Sequence, residues 1–350
     1  MVLLGMMVDR LAPWPLGSLL ELDQVELVLF APSGIDWAQQ TIAGLYLKSR
    51  QWVKRRLPFP AAVYNRCYSD RRQMIAQLED VIGRKHLFNY VTRFDKWEIH
   101  RILRSGGLGQ HLPKTLPFEE RRLGRMLDGG GGVVIKPRQG HGGKGVYLVK
   151  RTGKQEIQVF TGQAVEAADM LPQERDAWAS SHIMQQEIPM LKWGKSVFDI
   201  RILLQKDGGG EWKVSGDLSR VAVPGIFVTN VCKKICYAEE ALVHVGMEPS
   251  EVMAKLESTS LTVARLLERH FVMLGEISVD FAPDSEGKIW IIEVNGKPDR
   301  NLFFALRDEE LIQRILVRPF EYACYLANHM IEGVHDDCKV GCRVGSTPIE

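Results

Sequence analysis

The chain has 350 residues, of which 45% are hydrophobic and 25% are charged, and its formal net charge is +2. These values are ordinary for a globular protein with a full core, and the balanced charge gives no global indication of nucleic-acid binding. No apolar run approaches the roughly 20 residues that a membrane-spanning helix needs, so we expect no membrane partner.

The first 90 residues or so are expected to form a small α/β unit. Apolar β-like runs occur at Val2–Val8, Val25–Phe30 and Ala61–Tyr64, with polar segments between them. The start, MVLLGMMVDR, lacks a basic n-region and is interpreted as a first strand rather than a signal peptide, which favours a cytoplasmic location. The basic cluster Lys54–Arg56 is interpreted as a solvated face, with a local basic patch as the alternative.

The six cysteines are expected to be reduced thiols, because a long chain without an export signal suggests the cytosol. Two pairs, Cys232/Cys236 and Cys338/Cys342, share a C-x-x-x-C spacing. Four such thiolates could bind zinc, but the pairs lie about a hundred residues apart, and unpaired thiols are the favoured interpretation.

A helix and a glycine loop follow. The stretch FDKWEIHRILRS predicts a helix capped by Asp95, with Glu98 three residues later as in a capping box. The stretch VVIKPRQGHGGKGVYLVKR predicts strand, glycine loop, strand. A β-like run rather than a helix follows the loop, and Gly145 follows Lys144, so neither a dinucleotide fingerprint nor a Walker A loop is indicated. Such a loop can still lie over phosphates; an ordinary hairpin turn is the alternative.

Two lysines are candidates for binding an anion. Lys136 is flanked by apolar residues on a predicted core strand, where a buried ammonium group needs a negative partner. Lys96 lies in the first turn of the predicted helix. The alternative for each lysine is a side chain that reaches out to solvent along its own apolar stem.

The second half of the chain alternates hairpins and helices. SHIMQQEIPM predicts a strand that enters a connector, and a hairpin turning at Gly208–Gly210 follows. A long amphipathic helix is predicted around residues 252–267, and then a second hairpin, GEISVDFAPDSEGKIWIIEVN. A final helix, Glu309–Met330, is expected to bend near Pro319 before a loose tail.

The second hairpin opposes two acids. If it folds symmetrically about the bond between Glu286 and Gly287, Asp280 faces Glu293 about 5 Å away, where like charges destabilise a sheet. The repulsion is roughly 3 kcal/mol at an effective dielectric of about 20. A divalent cation between the acids would compensate it, and Asn295 adds an oxygen to the same face, which is the hard ligand set that Mg²⁺ prefers. The alternative is a hairpin whose acids face water.

The order of these features resembles the ATP-grasp superfamily and, within it, the YheC/YheD family of endospore coat-associated proteins. The stretches that carry the resemblance are YNRCYSD, FDKWEIHRIL, VVIKPRQGHGGKGVYLV, FDIRILLQKD and GEISVDFAPDSEGKIWIIEVNGKPDR. The resemblance covers most of the chain, most strongly from Phe94 to Arg300. It implies an α/β fold of α+β layers, in which two α+β subdomains clasp ATP after a small α/β N-terminal domain. The implied domains are 1–90, 91–333 for the ATP-grasp unit, and a flexible tail at 334–350.

The resemblance also implies a role for each matching residue. Groups that would contact ATP are Lys96, Lys136, the loop Gln139, Gly140, His141, Gly142, Gly143, Lys144, Gly145, the hinge Gln185, Gln186, Glu187, Ile188, and Asp199. Groups that would act near the transferred phosphoryl group are Arg201, Arg220 and Asn230. Groups that would hold one or two Mg²⁺ ions, with Mn²⁺ as an alternative, are Asp280, Glu293 and Asn295. The alternative for Arg201 and Arg220 is a surface ion pair.

The implied activity is an ATP- and Mg²⁺-dependent ligase that activates a carboxylate as an acyl phosphate for attack by an amine or another nucleophile. Its substrates would be small molecules, amino acids or peptides. The alternatives are a phosphotransferase on the same fold and a non-catalytic, nucleotide-binding spore coat protein with coat-protein partners and a coat location. A protein kinase is excluded, because HRIL is not the kinase catalytic loop and no D-F-G occurs.

Three departures from the superfamily's pattern limit what the resemblance implies. The segment VCKKICYA follows Asn230 where relatives tend to be glycine-rich, so their acceptor specificity does not transfer. Ser278 stands where the D-alanine ligase branch carries an arginine, which argues against that reaction. Asp299 stands where a glycine is usual. The sequence fixes neither the substrates nor the oligomeric state.

Overall fold

The computed structural model describes residues 1–14, 25–68, 71–140, 142–153, 157–161, 165–166 and 178–340, without the side chains of 165–166 and 330–340. The strands are β1 Val2–Val8, β2 Val25–Asp36, β3 Thr41–Lys48, β4 Gln51–Pro58, β5 Ala62–Arg66, β6 Leu87–Phe88, β7 Thr115–Pro117, β8 Val133–Pro137, β9 Tyr147–Arg151, β10 Ile157–Thr161, β11 Val165–Glu166, β12 His182–Gln186, β13 Lys192–Trp193, β14 Ser196–Lys206, β15 Trp212–Ala222, β16 Cys232–Cys236, β17 Glu276–Pro283 and β18 Ile289–Asn295. The α-helices are α1 Arg72–Ile82, α2 Lys96–Leu103, α3 Glu120–Asp128, α4 Trp178–Ser181, α5 Ala238–His244, α6 Pro249–Glu268 and α7 Glu309–Val340. Within the described part of the chain these strands form three six-stranded sheets, and none of the helices there is long and apolar enough to cross a bilayer.

The N-terminal sheet has the strand order β4-β3-β2-β1-β5-β6 and buries both of its faces. Along β1, Leu4 and Met6 pack into a core with α7, whereas Met7 packs into a separate core with α1. This alternation is the two-residue period of a strand covered by helices on both sides. Because α7 comes from the far end of the chain, one face of this sheet is covered by a helix outside residues 1–90, and the predicted boundary near residue 90 stays a prediction.

The predicted strands are present, but the polar segment between the second and third of them forms a further hairpin, β3–β4. The basic cluster Lys54–Arg56 lies on β4, an edge strand, with all three side chains exposed. Arg56 pairs with Asp36 at 2.9 Å, and Arg55 lies over the ring of Tyr46. Charged side chains on an edge strand hinder pairing with other chains, so the solvated-face interpretation agrees with the structure.

The middle sheet, in the order β11-β10-β9-β8-β12-β7, is antiparallel and carries the predicted glycine loop between β8 and β9. Its core contains Val133, Ile135 and Val149 from the hairpin, together with Leu123 and Leu127 from α3. The amphipathic α3 therefore covers one face of the sheet and leaves the other face toward the rest of the molecule.

The C-terminal sheet, in the order β16-β15-β14-β17-β18 with β13 beside β14, packs one face into the largest core; the other face carries buried charged residues together with Leu203 and Leu218, which pack into the core that contains α7. Along β17, Ile277, Val279 and Phe281 pack under α2, α5 and α6 in the largest core. The alternate residues Glu276 and Asp280 point to the opposite face, and both are almost fully buried.

The last helix is longer than predicted. It continues past Met330 to Val340 with Pro319 inside it. Residues 334–340, which were expected to belong to a flexible tail, are therefore helical, and residues 341–350 lie outside the described residues. The prediction placed too much weight on the polar composition of this segment, which does not by itself prevent a helix from continuing.

Candidate functional site

The edge strand β18 of the C-terminal sheet and helix α2 meet the middle sheet across a narrow cleft. Its cavity of about 30 Å³ is lined by Lys96, Ile99, His100, Leu103, Leu112, Lys136, Ile183, Gln185, Ile291, Ile292, Glu293 and Val294. Pockets that hold drug-sized ligands are roughly 300–1,000 Å³. The middle sheet with its glycine loop and the C-terminal sheet with its helices are called the two lobes below. They would have to separate to admit a nucleotide base.

Lys96 reaches the cleft because the start of α2 is fixed in three ways. Asp95 caps the helix by accepting hydrogen bonds from the backbone N–H groups of Trp97 and Glu98, as predicted. Arg138, just after β8, forms an ion pair with Asp95 at 2.9 Å, and its carbonyl oxygen accepts a hydrogen bond from the Lys96 N–H. The Lys96 ammonium then lies 3.0 Å from Glu293 Oε1 on β18 and donates to the Gly140 carbonyl, in the loop after β8, at 3.1 Å.

Lys136 crosses the cleft from β8. Its ammonium donates to the carbonyl oxygen of Ile292 at 3.2 Å, and only 7% of the residue is exposed. Burial lowers its pKa to about 8, although the nearby Glu293 carboxylate opposes this shift. A lysine in this state gains from an incoming anion, because a negative ligand restores the charged form.

The hairpin β17–β18 pairs Asp280 with Glu293, as predicted. The hairpin is not regular along its length, as a symmetric fold would require. Nearer the turn Phe281 pairs with Ile291, and a bulge between Asp280 and Phe281 shifts the pairing by one residue. Ile292 is the extra residue at this bulge, and its carbonyl is the one that Lys136 binds. The bulge thus provides an acceptor that an unbroken ladder would have used up.

The two acids are compensated by cationic side chains. Asp280 accepts two hydrogen bonds from Arg201, at 2.7 and 2.8 Å, and one from Arg220 at 3.0 Å. Burial opposes its ionisation, but Arg201 and Arg220 outweigh burial and lower the pKa of Asp280 to about 2. With Lys96 on Glu293, both opposed acids have cationic side-chain partners, and the predicted divalent ion stays a prediction.

Asp199 extends this network. It is 1% exposed, forms an ion pair with Arg220 and accepts a hydrogen bond from the Thr229 hydroxyl at 2.6 Å. Asp199, Arg201, Arg220 and Asp280 therefore form one buried quartet with two positive and two negative groups. The carboxylates of Asp199 and Asp280 raise the pKa of Arg220, against the effect of burial, and keep it charged.

The donor chemistry of the hairpin fits a hard cation. Asp280, Glu293 and Asn295 supply carboxylate and amide oxygens, and the Asn295 side chain lies 3.4 Å from Asp280. Among the described residues no group of three or more His, Cys, Asp or Glu side chains could hold a metal by itself. A cation here would thus depend on the Asn295 amide and on phosphate oxygens, as is usual for Mg²⁺.

The glycine loop is attached to the C-terminal lobe. The Asn230 side-chain amide donates to the Gly142 carbonyl at 2.8 Å. At Gly143, with φ +68°, a Cβ atom would lie only 2.5 Å from Asn230 Oδ1, so this close approach needs glycine. Gln139 and Lys144 are exposed in the same loop as Gly140 and Gly145, and His141 lies outside the described residues.

The predicted hinge follows β12. Gln185 is buried at the cleft and donates to Thr115 Oγ1 at 3.0 Å, whereas Gln186 is exposed. Glu187 turns away from the cleft, since it pairs with Lys150 at 2.6 Å and accepts from the Gly132 N–H. The carbonyl of Ile188 accepts from the Met190 N–H. A contact of the Glu187 side chain with a bound base would require this residue to leave Lys150.

Sequence reasoning missed three groups. His100 lines the cleft with 7% of its surface exposed, and burial, together with Arg104 and Lys136, lowers its pKa to about 4. It is neutral at pH 7 and can offer one donor and one acceptor. Thr229 and Arg138 position Asp199 and Lys96. The helical period placed His100 on the same side as Lys96, four residues earlier, and this was the one available signal.

The cysteine pairs do not form a described metal site. Cys232 and Cys236 lie on the single strand β16, and a strand advances about 3.3 Å per residue, so their backbones are about 13 Å apart. The side chain of Cys338 is not described, and Cys342 lies outside the described residues.

Comparison with known proteins places these features in a family. A family model described as YheC/D like ATP-grasp matches residues 84–326. The endospore coat-associated protein YheD of Bacillus subtilis is 26% identical over 336 residues, covering 87% of this chain and 71% of that protein. YheC of the same organism is 21% identical over 326 residues, covering 86% of this chain and 88% of that protein.

A solved structure supports the fold. The D-alanine–D-alanine ligase of Bacillus anthracis, complexed with ATP, superposes with a TM-score of 0.52 at 14% identity, covering 92% of this chain and 98% of the ligase chain. At this identity the likeness shows the fold alone. It confirms the predicted ATP-grasp fold with its mixed helices and sheets.

Proposed function

Because this chain belongs to the YheC/D-like ATP-grasp family, we propose that it is an ATP-dependent ligase that activates a carboxylate for attack by an amine or a related nucleophile. One observation carries the proposal. Lys136, on β8 of the lobe that carries the glycine loop, donates to the Ile292 carbonyl on the carboxylate hairpin of the other lobe at 3.2 Å, and Lys96 lies 3.0 Å from Glu293 on the same hairpin. The ammonium groups of two lysines and the carboxylate oxygens of the hairpin thus lie together at the cleft between the two lobes.

The proposed reaction has two steps. An oxygen of the substrate carboxylate attacks the γ-phosphorus of ATP, the bond to the β,γ-bridging oxygen breaks, and ADP leaves, so that an acyl phosphate is formed. The nucleophile then attacks the acyl carbon and loses a proton as inorganic phosphate departs. Both steps move negative charge between oxygens, so positioning and charge neutralisation supply most of the catalysis.

Each group of the site has a role in this reaction. Lys96 and Lys136 would exchange their present partners, Glu293 and the Ile292 carbonyl, for phosphate oxygens. Arg201 and Arg220 would stabilise charge on the phosphoryl group from the buried quartet. The glycine loop, with Asn230 against Gly142, would cover the phosphates and exclude water.

Asp280, Glu293 and Asn295 would hold Mg²⁺, which when bound neutralises phosphate charge. Lys96 would release Glu293 to the ion. Mg²⁺ or Mn²⁺ at this hairpin, and ATP as the phosphoryl donor, are parts of the same proposal.

Nucleotide binding can be tested without knowing the substrates. With Mg²⁺ and a non-hydrolysable ATP analogue at 100 times its Kd, we expect stabilisation of about 2.7 kcal/mol, which a thermal melt detects. ADP release should then require both a carboxylate and a nucleophile, with the product identified by mass spectrometry. No thermal shift at millimolar nucleotide would refute nucleotide binding.

Two rival functions predict different products. A phosphotransferase would leave the γ-phosphoryl group on one stable acceptor, without a second substrate. A non-catalytic coat protein would bind nucleotide and release no ADP with any acceptor pool. The curated relatives carry the name endospore coat-associated protein, so association with coat proteins and a coat location belong to this second candidate. The retained lysines, arginines and acids favour catalysis, although retention would also serve binding alone.

A further inference from the structure

A buried chain of hydrogen bonds fixes the orientation of the Gln185 side chain at the cleft. The Thr115 hydroxyl donates to the Pro113 carbonyl oxygen at 2.9 Å, and Gln185 Nε2 donates to Thr115 Oγ1 at 3.0 Å. Thr115 is 2% exposed and Gln185 is 8% exposed, so water has little access to either group. Donation therefore runs in one direction, from Gln185 through Thr115 to Pro113.

The Pro113 carbonyl sets this direction. Pro113 is buried, and its carbonyl accepts from no other group in the described part of the chain. Because a carbonyl oxygen can only accept, it takes the single O–H of Thr115, and Thr115 Oγ1 is left to accept from Gln185. If the Gln185 amide turned over, two buried acceptors would meet or Pro113 would lose its donor. Either change leaves a buried polar group unpaired, which is unfavourable.

The arrangement belongs to one lobe and is directed at the cleft. Gln185 on β12 is the direct cross-strand partner of Thr115 on β7, and both strands lie in the middle sheet. Ile183 and Gln185 line the cavity, whereas Met184 between them packs into the core with α3. Gln185 Oε1 makes no hydrogen bond to any described residue. Separation of the lobes thus leaves an acceptor oxygen and a second amide N–H held in fixed positions for a ligand.

The other polar side chains that line the cavity do not supply this pattern. The ammonium groups of Lys96 and Lys136 only donate, and the Glu293 carboxylate already accepts from Lys96. Burial lowers the pKa of His100 to about 4, so its ring is neutral at pH 7 and can offer a donor or an acceptor by a change of tautomer. His100 can therefore adapt to different bases, whereas Gln185 cannot.

Resting on the ligase function proposed above, we propose that Thr115 is a positioning residue for nucleotide selection, which makes Gln185 favour 6-aminopurine nucleotides over 6-oxopurine nucleotides. Adenine carries its amino donor beside a ring-nitrogen acceptor, and this pair matches an amide oxygen and N–H. Hypoxanthine and guanine carry an oxygen at position 6, which would oppose Gln185 Oε1. Two acceptors that face each other in a buried site lose their hydrogen bonds to water without replacement.

The test compares ADP with inosine diphosphate, in which an oxygen replaces the 6-amino group. Calorimetric titration of each nucleotide with Mg²⁺ into the full chain requires no knowledge of the other substrates. We expect ADP to bind about tenfold or more tightly than inosine diphosphate. Thr115→Val keeps the shape of the side chain but cannot accept from Gln185, so the amide becomes free to turn over. This variant should reduce the ratio of the two affinities to less than about threefold, with tighter binding of inosine diphosphate.

Two variants serve as controls. Thr115→Ser keeps the hydroxyl and should keep the affinity ratio of the unmodified protein. Thr262→Val on α6 removes an exposed hydroxyl that donates to the Ser258 carbonyl at 2.9 Å, and α6 does not line the cavity, so this ratio should also be unchanged. A purely structural role of Thr115 would weaken both nucleotides together in Thr115→Val and leave the ratio as it was. That result would overturn the inference.

A second variant covers the case in which circular dichroism shows that Thr115→Val does not fold. Gln185→Leu removes both amide groups and should bind the two nucleotides with similar, weaker affinity; a retained preference for ADP would overturn the role of Gln185.

Failure of the inference and failure of the proposed function give different results. Equal binding of ADP and inosine diphosphate by the unmodified protein would refute the role of Thr115 while nucleotide binding stands. If neither nucleotide binds at millimolar concentration, the ATP-dependent function is refuted, and the inference with it.

Discussion

Glu276 and Asp280 lie on the same face of β17, and each is buried among arginines, but the two regions differ in what covers them. Glu276 accepts from Tyr64 at 2.7 Å, Arg66 at 2.5 Å and Gln205 at 2.6 Å. Tyr64 and Arg66 belong to the N-terminal sheet, which seals this end of the face. Burial opposes ionisation of Glu276, but Arg300 and Arg66 outweigh it and lower its pKa.

Asp280 lies at the open end of the same face. Its neighbour Glu293 keeps 27% of its side chain exposed and is contacted by Lys96 of α2 at the cleft. The comparison teaches that a buried acid among arginines does not by itself mark a site. What marks the site is an adjoining cleft, with partners that an incoming ligand can displace.

The largest expected effect is on stability, at the sealed end. Glu276→Ala leaves Arg66 and Arg300 buried without their carboxylate, and breaking such a pair costs about 3–5 kcal/mol. Urea unfolding should show this loss, and the KM for ATP of the folded fraction should stay unchanged. If the free energy of unfolding fell by less than about 1 kcal/mol, or the KM for ATP changed, the sealed end would not be purely structural and the contrast between the two ends would fail.

The next effect is on activity, at the open end. Glu293→Gln should lower ADP release by about 10²–10³-fold, the usual effect of removing one electrostatic contact to a transition state. Its partly exposed pair with Lys96 contributes at most about 1 kcal/mol to stability, so the melting temperature should change little. Glu286→Gln, in the exposed turn of the same hairpin, is the matched control. Normal turnover of the Glu293→Gln variant would show that Glu293 has no role in the reaction.

Low pH should lower the free energy of unfolding through the ionised Asp280 of the buried quartet. The folded-state pKa of Asp280, about 2, lies below the roughly 3.9 of an unfolded aspartate. Its contribution is therefore complete above about pH 4 and is lost as the pH falls toward 2, a decrease of about 2 kcal/mol. Asp280→Asn should flatten this part of the stability curve in denaturant titrations at pH 2–5. An unchanged slope would show that the arginines do not stabilise the ionised form.

The smallest effect concerns the glycine loop, which contacts Asn230 beside the open end. Gly143→Ala places a Cβ atom against Asn230 and strains a residue at φ +68°, at a cost of about 1–2 kcal/mol. We expect the KM for ATP to rise several-fold and the free energy of unfolding to fall by no more than this cost. Adding Asn230→Ala should recover part of the loss, because it removes the clash but not the strain. Full additivity of the two substitutions would mean that the contact does not form in solution.

Local patterns predicted much of this molecule. The Asp95 cap, the glycine loop between antiparallel strands and the pairing of Asp280 with Glu293 depend on short stretches of chain, and all three are present. The β3–β4 hairpin was missed because the whole stretch between β2 and β5 was interpreted as polar, which fits β4 on the sheet edge but not β3, whose Ile42 and Leu45 are buried. The last helix was ended too early because composition alone was used for the segment after Gly333.

The sequence by itself determined most of the long elements and the residues that can carry charge, because these depend on periodicity and residue type within one segment. The family was indicated by the resemblance of several stretches taken together in their order. Tertiary structure alone decided which charges meet. Arg201 and Arg220 neutralise Asp280, Lys96 of α2 pairs with Glu293 of β18, and Glu276 is sealed under a strand more than two hundred residues away. The physical reason is that Coulomb energy depends on distance and burial, and residues far apart in the chain acquire both only when the sheets pack.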